Sequence, residues 1–385
     1  MGDEMDRMVW PRFSAKAERE ALKVLRSGRV NYWTGNRGRE FEAAFAKWLG
    51  AKRALAVSSG TAALHLALEA LGVGRGDDVV VTPYSFRASA TAVANAGARP
   101  VFADVGPDHM LNARTIEAAL TPRTRAVVVV HLYGQVADMA PILALARKRG
   151  IFVVEDCAQC LGGEYRGRKV GTLGDAGCFS FCQSKHITTA GEGGMVVCRS
   201  AKTARAVESL RDHGWKVGSA PKEYDRVGYN ARLTEVQSAV GLCELERLES
   251  WNLPRRRRLA ERPIARLRRL SDSLGSSSPI VGWPVDTPAR RASFWLVPFV
   301  LDPKKLGVPV ARFIENLQAA GAPAYRILWP LMAKKPVAAA LAPATVGFWV
   351  HPTLSLADMD RAVSAFAAGP DVGDGWRPGT AIYLH

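Results

Sequence analysis

Between about residues 53 and 200 the chain alternates between two textures, and that alternation restricts its fold more than any other feature. Short β-branched runs recur, as Asp78-Val79-Val80-Val81-Thr82, Pro100-Val101-Phe102-Ala103-Asp104, residues 127–132 and Phe152-Val153-Val154-Glu155. Helix-like stretches separate them, at 62–71, 88–96, 113–120 and 139–148. A strand that is apolar on both faces must be covered on both faces, which predicts a mainly parallel sheet between two layers of helices. Residues 178–181 and 195–198 read as two further strands joined by a Gly-rich turn. Helices are expected at 14–27, 39–49, 201–212 and 232–270, the last broken or kinked at Pro254. After Leu270 the texture shifts through a Ser-rich stretch to strand-like 292–301, a helix near 310–320 and a run at 346–351, which predicts a smaller α+β domain. The expected division is therefore 1–250 for the large domain and 251–385 for the small one, with a loose tail from 369.

Composition narrows the function classes. With 48% hydrophobic and 23% charged residues the chain is neither disordered nor fibrous. No run approaches the roughly 20 apolar residues of a membrane span, and the first residues, MGDEMDRMVWPRF, have no cationic stretch ahead of an apolar one. A cytoplasmic protein with no membrane partner is expected. The net charge is +16, and eight arginines lie between Arg255 and Arg269 against the single acid Glu261. That stretch suits an anionic surface, but Leu259, Ile264, Leu267 and Leu270 keep an apolar stripe through it and no aromatic interleaves to stack bases. It reads as a solvated helix, with no nucleic-acid partner. Cys157 and Cys160 have C-x-x-C spacing, yet no second ligand pair completes a zinc site. Cys178, Cys182 and Cys198 sit in or beside strand-like runs as small core residues do. No metal is expected.

In an open α/β sheet ligands bind outside the carboxyl ends of the strands, and four junctions carry candidate chemistry. Ser58-Ser59-Gly60-Thr61 leads from a strand into a helix, where free N–H groups and the positive helix end suit a phosphate, although the same residues make an ordinary N-cap. Glu155-Asp156 closes an apolar strand with two carboxylates, which calls for a cation, a metal or a helix cap. Lys185 follows a buried strand amid small residues and the Gly191-Glu192-Gly193-Gly194 turn, a setting for a depressed pKa and Schiff-base chemistry. Asn230 and Arg232 open the long helix as anion ligands or as its cap.

Taken in order, these fragments resemble the DegT/StrS-type sugar aminotransferases, from about Gly28 to Leu248 and again at His351-Pro352-Thr353-Leu354-Ser355. The resemblance implies the three-layer αβα fold of pyridoxal-phosphate-dependent transferases, with a smaller α+β C-terminal domain. It implies that Lys185 binds pyridoxal 5'-phosphate covalently and then moves the proton. Asp156 would pair with the ring nitrogen, Gln159 would lie near the phenolic oxygen, and Gly60, Thr61 and Ser180 would hold the phosphate. Phe86 would stack on the ring, and Asn230 would reach the phosphate of the neighbouring subunit, making the active unit a homodimer with shared sites. The activity implied is transfer of an amino group from glutamate or glutamine to the ketone of a nucleotide-linked sugar or a cyclitol. Departures occur at Cys182 and Gln183, where relatives often have His and Pro, at Met332 after Pro330-Leu331, and at Arg87. Gln183-Ser184-Lys185 is similar to the cyclitol-type members. A non-catalytic regulatory or nucleic-acid-binding relative is the alternative; a nicotinamide oxidoreductase is disfavoured by the missing glycine fingerprint.

Overall fold

A computed structural model of the chain describes residues 10–221, 223–326 and 331–369. The first nine residues, Pro330 and the tail beyond 369 lie outside them. Among the described residues two helices come first, α1 (Ala15–Ser27), whose Ser14 cap accepts the Ala17 N–H, and α2 (Arg37–Leu49). The alternating region then builds β1 (Ala54–Val57), α3 (Gly60–Ala70), β2 (Asp78–Val81), α4 (Ala88–Asn95), β3 (Arg99–Phe102), α5 (Ala113–Glu117), β4 (Thr124–Val130), α6 (Met139–Arg149) and β5 (Phe152–Asp156). Two short strands, β6 (Glu164–Tyr165) and β7 (Arg168–Lys169), precede β8 (Ala176–Ser180), β9 (Gly194–Cys198) and α7 (Ala201–Leu210).

Seven strands pair in the order β1-β9-β8-β5-β4-β2-β3. The pairs β2–β3, β2–β4, β4–β5 and β5–β8 are parallel, while β9 runs antiparallel to both β1 and β8. The period of two along each strand divides the core. Val80, Val127, Val129, Val153 and Phe179 pack on one face with Phe41 and Phe45 of α2. Val79, Val81, Val128, Val154 and Cys178 pack on the other with residues of α3, α4 and α7. The expected turn between the last two strands is instead a longer connection, residues 181–193, which carries Lys185.

The helix expected over 232–270 is two helices. The first, α8 (Glu235–Glu246), is capped by Thr234, and a π-helical turn over Leu248–Asn252 separates it from α9 (Leu253–Leu274). Pro254 lies in the first turn of α9, where its missing N–H costs nothing, so it starts a helix and does not kink one. The Ser-rich texture was misleading at its start, because α9 continues to Leu274. Beyond it, β10 (Ile280–Gly282), β12 (Leu296–Leu301), β13 (Ala324–Arg326) and β14 (Thr345–Trp349) form an antiparallel sheet in the order β10-β12-β14-β13. The helices α10 (Pro303–Leu306), α11 (Val310–Ala319), α12 (Pro336–Ala344) and α13 (Leu356–Ala368) accompany it. A separate core joins Leu259 and Leu267 of α9 to Phe299, Phe313, Phe348 and Phe366. Strand β11 (Arg290–Arg291) leaves this region to pair with β6, stitching the two parts together.

The arginine stretch on α9 is largely engaged within the fold. Arg262 and Arg266 both grip Asp360 of α13, Arg257 reaches Asp286 and the Ala292 carbonyl, and Arg255 reaches the Leu354 carbonyl. Arg256 is buried, donating to Asn252, where the helix pattern had suggested a solvated charge.

Candidate active site

The carboxyl ends of β1, β5 and β8 open onto a cavity of about 420 Å³. Gly60, Thr61, Phe86, Asp156, Gln159, Ser180 and Lys185 all line it. Asn230 does not; it lies on the exposed surface, bridged to Asp212. Arg232 is ion-paired with Asp212 and Thr234 caps α8, so neither Asn230 nor Arg232 serves as the helix cap.

At the start of α3 the Ser59 hydroxyl accepts the Ala62 N–H and leaves the first-turn amides of Gly60 and Thr61 at the cavity edge. A Cβ on Gly60 would stand 2.7 Å from the Ser180 Cβ, so only glycine lets the helix start come this close to the Ser180 hydroxyl. Helix amides and a hydroxyl converging in this way form a cradle for a dianionic group.

The adjacent carboxylates of β5 point to opposite faces. Glu155 faces inward and is fully committed: one oxygen accepts the Leu173 and Gly174 amides at 2.7 Å, and the other accepts the Gly171 amide at 2.8 Å and faces His131 Nε2 at 3.1 Å. His131 Nδ1 accepts the Ala137 amide, which places the ring proton on Nε2, toward Glu155. Atoms of His131, Glu155 and Cys157 lie within 4.8 Å of one another, a spacing that a metal can use. Here the His131 and Glu155 atoms are already occupied by protein donors and by each other. Asp156 turns into the cavity, held by the Ser89 hydroxyl at 2.8 Å and the Ala158 amide at 3.1 Å. Burial raises its pKa despite these bonds, so it is a carboxylate in want of a cation.

Gln159 is oriented by a backbone donor. Its Oε1 accepts the Tyr133 N–H at 2.9 Å, which leaves the side-chain NH₂ for another acceptor. Tyr133 holds a left-handed backbone, φ 62°, to make that bond, and its hydroxyl donates to Tyr84. The Lys185 ammonium lies 4.6 Å from the centre of the Trp295 ring, and burial lowers its pKa. Trp295 is tied to the lysine loop through its Nε1, which donates to the Ser184 carbonyl at 2.7 Å. Phe86 is 54% exposed and lines the cavity. Cys157 and Cys160 are both buried free thiols, the second pushed up to about 12, and neither is poised to react.

Residues 12–365 match the DegT/DnrJ/EryC1/StrS aminotransferase family. The chain belongs to that family. It is 48% identical over 232 residues to the UDP-N-acetyl-3-dehydro-alpha-D-glucosamine 3-aminotransferase of Acidithiobacillus ferrooxidans, a match covering 59% of this chain and 61% of that one. It is 37% identical to the GDP-perosamine synthase of Caulobacter vibrioides over 86% of this chain and 91% of the relative. It is 40% identical to the L-glutamine:scyllo-inosose aminotransferase of Streptomyces griseus over 83% and 77%. Among solved structures, the aminotransferase from Psychrobacter cryohalolentis superimposes with a TM-score of 0.87 at 33% identity, covering 94% of this chain and 98% of that one. The PLP-form of Spr1654 from Streptococcus pneumoniae does so at 0.81 and 26%, covering 93% and 96%. The fold is thus that of the PLP-dependent aminotransferases, as the sequence implied, and pyridoxal phosphate is the cofactor of the family.

The cavity also contains residues that sequence reasoning passed over. Ser89 reads as one more small residue of a helix, and nothing marks it as the partner of Asp156. Trp295, Tyr325 and Trp349 come from the small domain, more than 100 residues beyond Lys185, and only folding brings them to the cavity. The one available signal was the density of tryptophan, 10 residues in the chain.

Proposed function

We propose that this chain transfers an amino group from glutamate or glutamine to the ketone of a nucleotide-linked sugar or a cyclitol, using pyridoxal phosphate. One observation carries the reading: an amine shifted toward its neutral form, Lys185, and a carboxylate lacking a cation, Asp156, line a single cavity whose far edge is built for an anion. The residues fit the cofactor. Gly60, Thr61 and Ser180 would hold its phosphate, Asp156 its protonated ring nitrogen, Gln159 its phenolic oxygen, Phe86 its face and Lys185 its aldehyde carbon. When bound, pyridoxal phosphate supplies that electrophilic carbon and a ring that accepts electrons.

Asp156 would keep the cofactor's ring nitrogen protonated, and Ser89 and Ala158 hold Asp156 in place for this. The Lys185 Nζ, which burial shifts toward its neutral form, would take the proton from the donor's α-carbon and pass it to the cofactor. Trp295 holds the loop bearing Lys185 and covers the amine, limiting the access of water. With the acceptor's ketone in place, the same Lys185 Nζ would move the proton in the opposite direction.

We also propose a homodimer in the cytoplasm, with a division of the chain near residue 250. Asn230 is exposed on a segment that also displays Val227, 83% exposed, and Tyr224 and Tyr229, an apolar surface suited to a second copy. In that arrangement Asn230 would reach the partner's phosphate. Among the described residues no helix is long and apolar enough to cross a membrane.

The test is spectroscopic. Purified protein with pyridoxal phosphate should absorb at about 400 nm or above, lose that band on adding glutamate or glutamine, and regain it with a keto-cyclitol or a nucleotide-linked keto-sugar. Lys185→Ala should neither retain the cofactor covalently nor turn over. A protein that ignores pyridoxal phosphate would refute the proposal.

A further inference from the structure

The cofactor-facing residues occupy one side of the cavity, and the side contributed by the small domain is aromatic. Trp295 and Trp349 meet edge to face at 5.2 Å, and Tyr325 leans on Trp349 at 5.1 Å. They come from three adjacent strands, with Trp295 just before β12, Tyr325 in the middle of β13 and Trp349 closing β14. The wall is braced at its base, because the Trp295 N–H donates to the Tyr133 carbonyl at 3.0 Å and its indole donates to Ser184. Gly134 makes this seam possible, since a Cβ there would stand 2.4 Å from the Trp295 nitrogen. Beyond Trp349 a second groove of about 620 Å³ shares Cys182, Ser184 and Trp349 with the cavity and adds Gln183, Gln318 and Trp10. Trp10 is fixed there by its Nε1, which donates to the Lys185 carbonyl at 3.0 Å.

We infer that this wall is the acceptor's binding site, a platform for the C–H face of a six-membered polyol ring, with Gln183 at the entrance to the adjoining groove reading the ring's distal side. The inference rests on the aminotransferase reading and assigns residues to its second substrate. A polyol ring has an apolar face of axial C–H groups and a rim of hydroxyls; an aromatic wall flanked by a few amides complements both. A glutamate or glutamine donor has no such face. Of the two departures, Cys182 lines both the cavity and the groove and Gln183 lines the groove, where a change of residue alters the acceptor's surroundings.

The ping-pong reaction separates the two substrates. With the holoenzyme, the donor half-reaction is followed by loss of the band near 400 nm and the acceptor half-reaction by its return, using a keto-inosose and a nucleotide-linked keto-sugar in turn. Trp349→Leu should raise the acceptor KM by about tenfold more than it alters the donor KM, and Trp349→Phe should recover most of that loss. Gln183→Glu, a change at an exposed side chain, should raise the acceptor KM, and more for the nucleotide-linked acceptor if its diphosphate enters the groove. Parallel losses in both half-reactions, or an unchanged acceptor KM in both the Leu and Glu variants, would overturn the inference. A wild-type enzyme that shows no donor half-reaction would refute the aminotransferase reading instead.

Discussion

Glu155 and Asp156 are neighbours of like charge whose removal should have opposite consequences. Glu155 accepts from three backbone amides and His131 across its two oxygens. Glu155→Gln must turn one oxygen into an NH₂ facing two donors, whichever way the amide is oriented. His131 offers no escape: accepting at Nε2 would put its proton on Nδ1, against the Ala137 N–H. At least two buried donors are stranded, at roughly 1–3 kcal/mol each, so the variant should lose about 3–5 kcal/mol. In a chain of this size that is a fall in Tm of about 4–6 °C, measured on cofactor-free protein by calorimetry. Asp156→Asn can keep both bonds, donating to the Ser89 hydroxyl and accepting the Ala158 N–H, and it removes a carboxylate whose pKa burial has raised. A raised carboxyl pKa penalises the cofactor-free fold from the ordinary carboxylate range upward and has no effect below it. Asp156→Asn should therefore raise Tm at neutral pH, by about 1–3 °C, with the difference vanishing at low pH. Its kcat should fall by about 10²–10³-fold, while folded Glu155→Gln retains kcat within a few-fold. Equal loss of kcat in both, or a Tm change under 2 °C for Glu155→Gln, would refute this division of roles.

Gly60→Ala places a methyl 2.7 Å from the Ser180 Cβ and should weaken pyridoxal phosphate binding by at least about tenfold, read by fluorescence titration of the cofactor-free protein. Because burial lowers the Lys185 pKa, kcat should rise along an acid limb as the released amine loses its proton; that limb's midpoint should lie below 10.5, and a stopped-flow pH profile would locate it. Of the six cysteines only Cys182 is not buried, so alkylation of native protein should mark it first, and bound pyridoxal phosphate should slow that reaction.

The large domain's architecture was legible because its signals are local. Four short apolar runs with helices between them can satisfy their backbone and cover both faces in few ways, and the strands formed within a few residues of expectation. The convergence of the candidate residues on one cavity was legible for the same reason: Gly60, Asp156, Ser180 and Lys185 each follow or close a strand of the sheet. Signals that depend on distant partners were not. The break at 247–252 follows from how α8 and α9 pack on different cores, which no window of sequence contains. Arg256 reads as one of eight solvated arginines until Asn252, one helical turn earlier, folds against it. The helices at 336–344 and 356–368 were passed over because the first is alanine-rich with little pattern and the second begins within a motif that had been read only for its likeness to a family.

What joins the legible half of the site to the other is a continuous set of bonds. Gln159 takes its orientation from the Tyr133 N–H, the Tyr133 carbonyl accepts the Trp295 N–H, and Trp295 fixes the Ser184 carbonyl beside Lys185. The strained left-handed backbone at Tyr133 is thus anchored on both sides, to the large domain through Gln159 and to the small domain through Trp295. The same residue extends the link through its hydroxyl to Tyr84, whose own hydroxyl donates to Thr345 at the start of β14. A displacement of the small domain therefore cannot leave Gln159 untouched. The aromatic wall proposed for the acceptor and the amide proposed for the cofactor are positioned by one hydrogen-bonded seam, so on this proposal fitting the wall to another acceptor requires keeping the backbone at Tyr133 and Gly134 while changing the rings at 325 and 349.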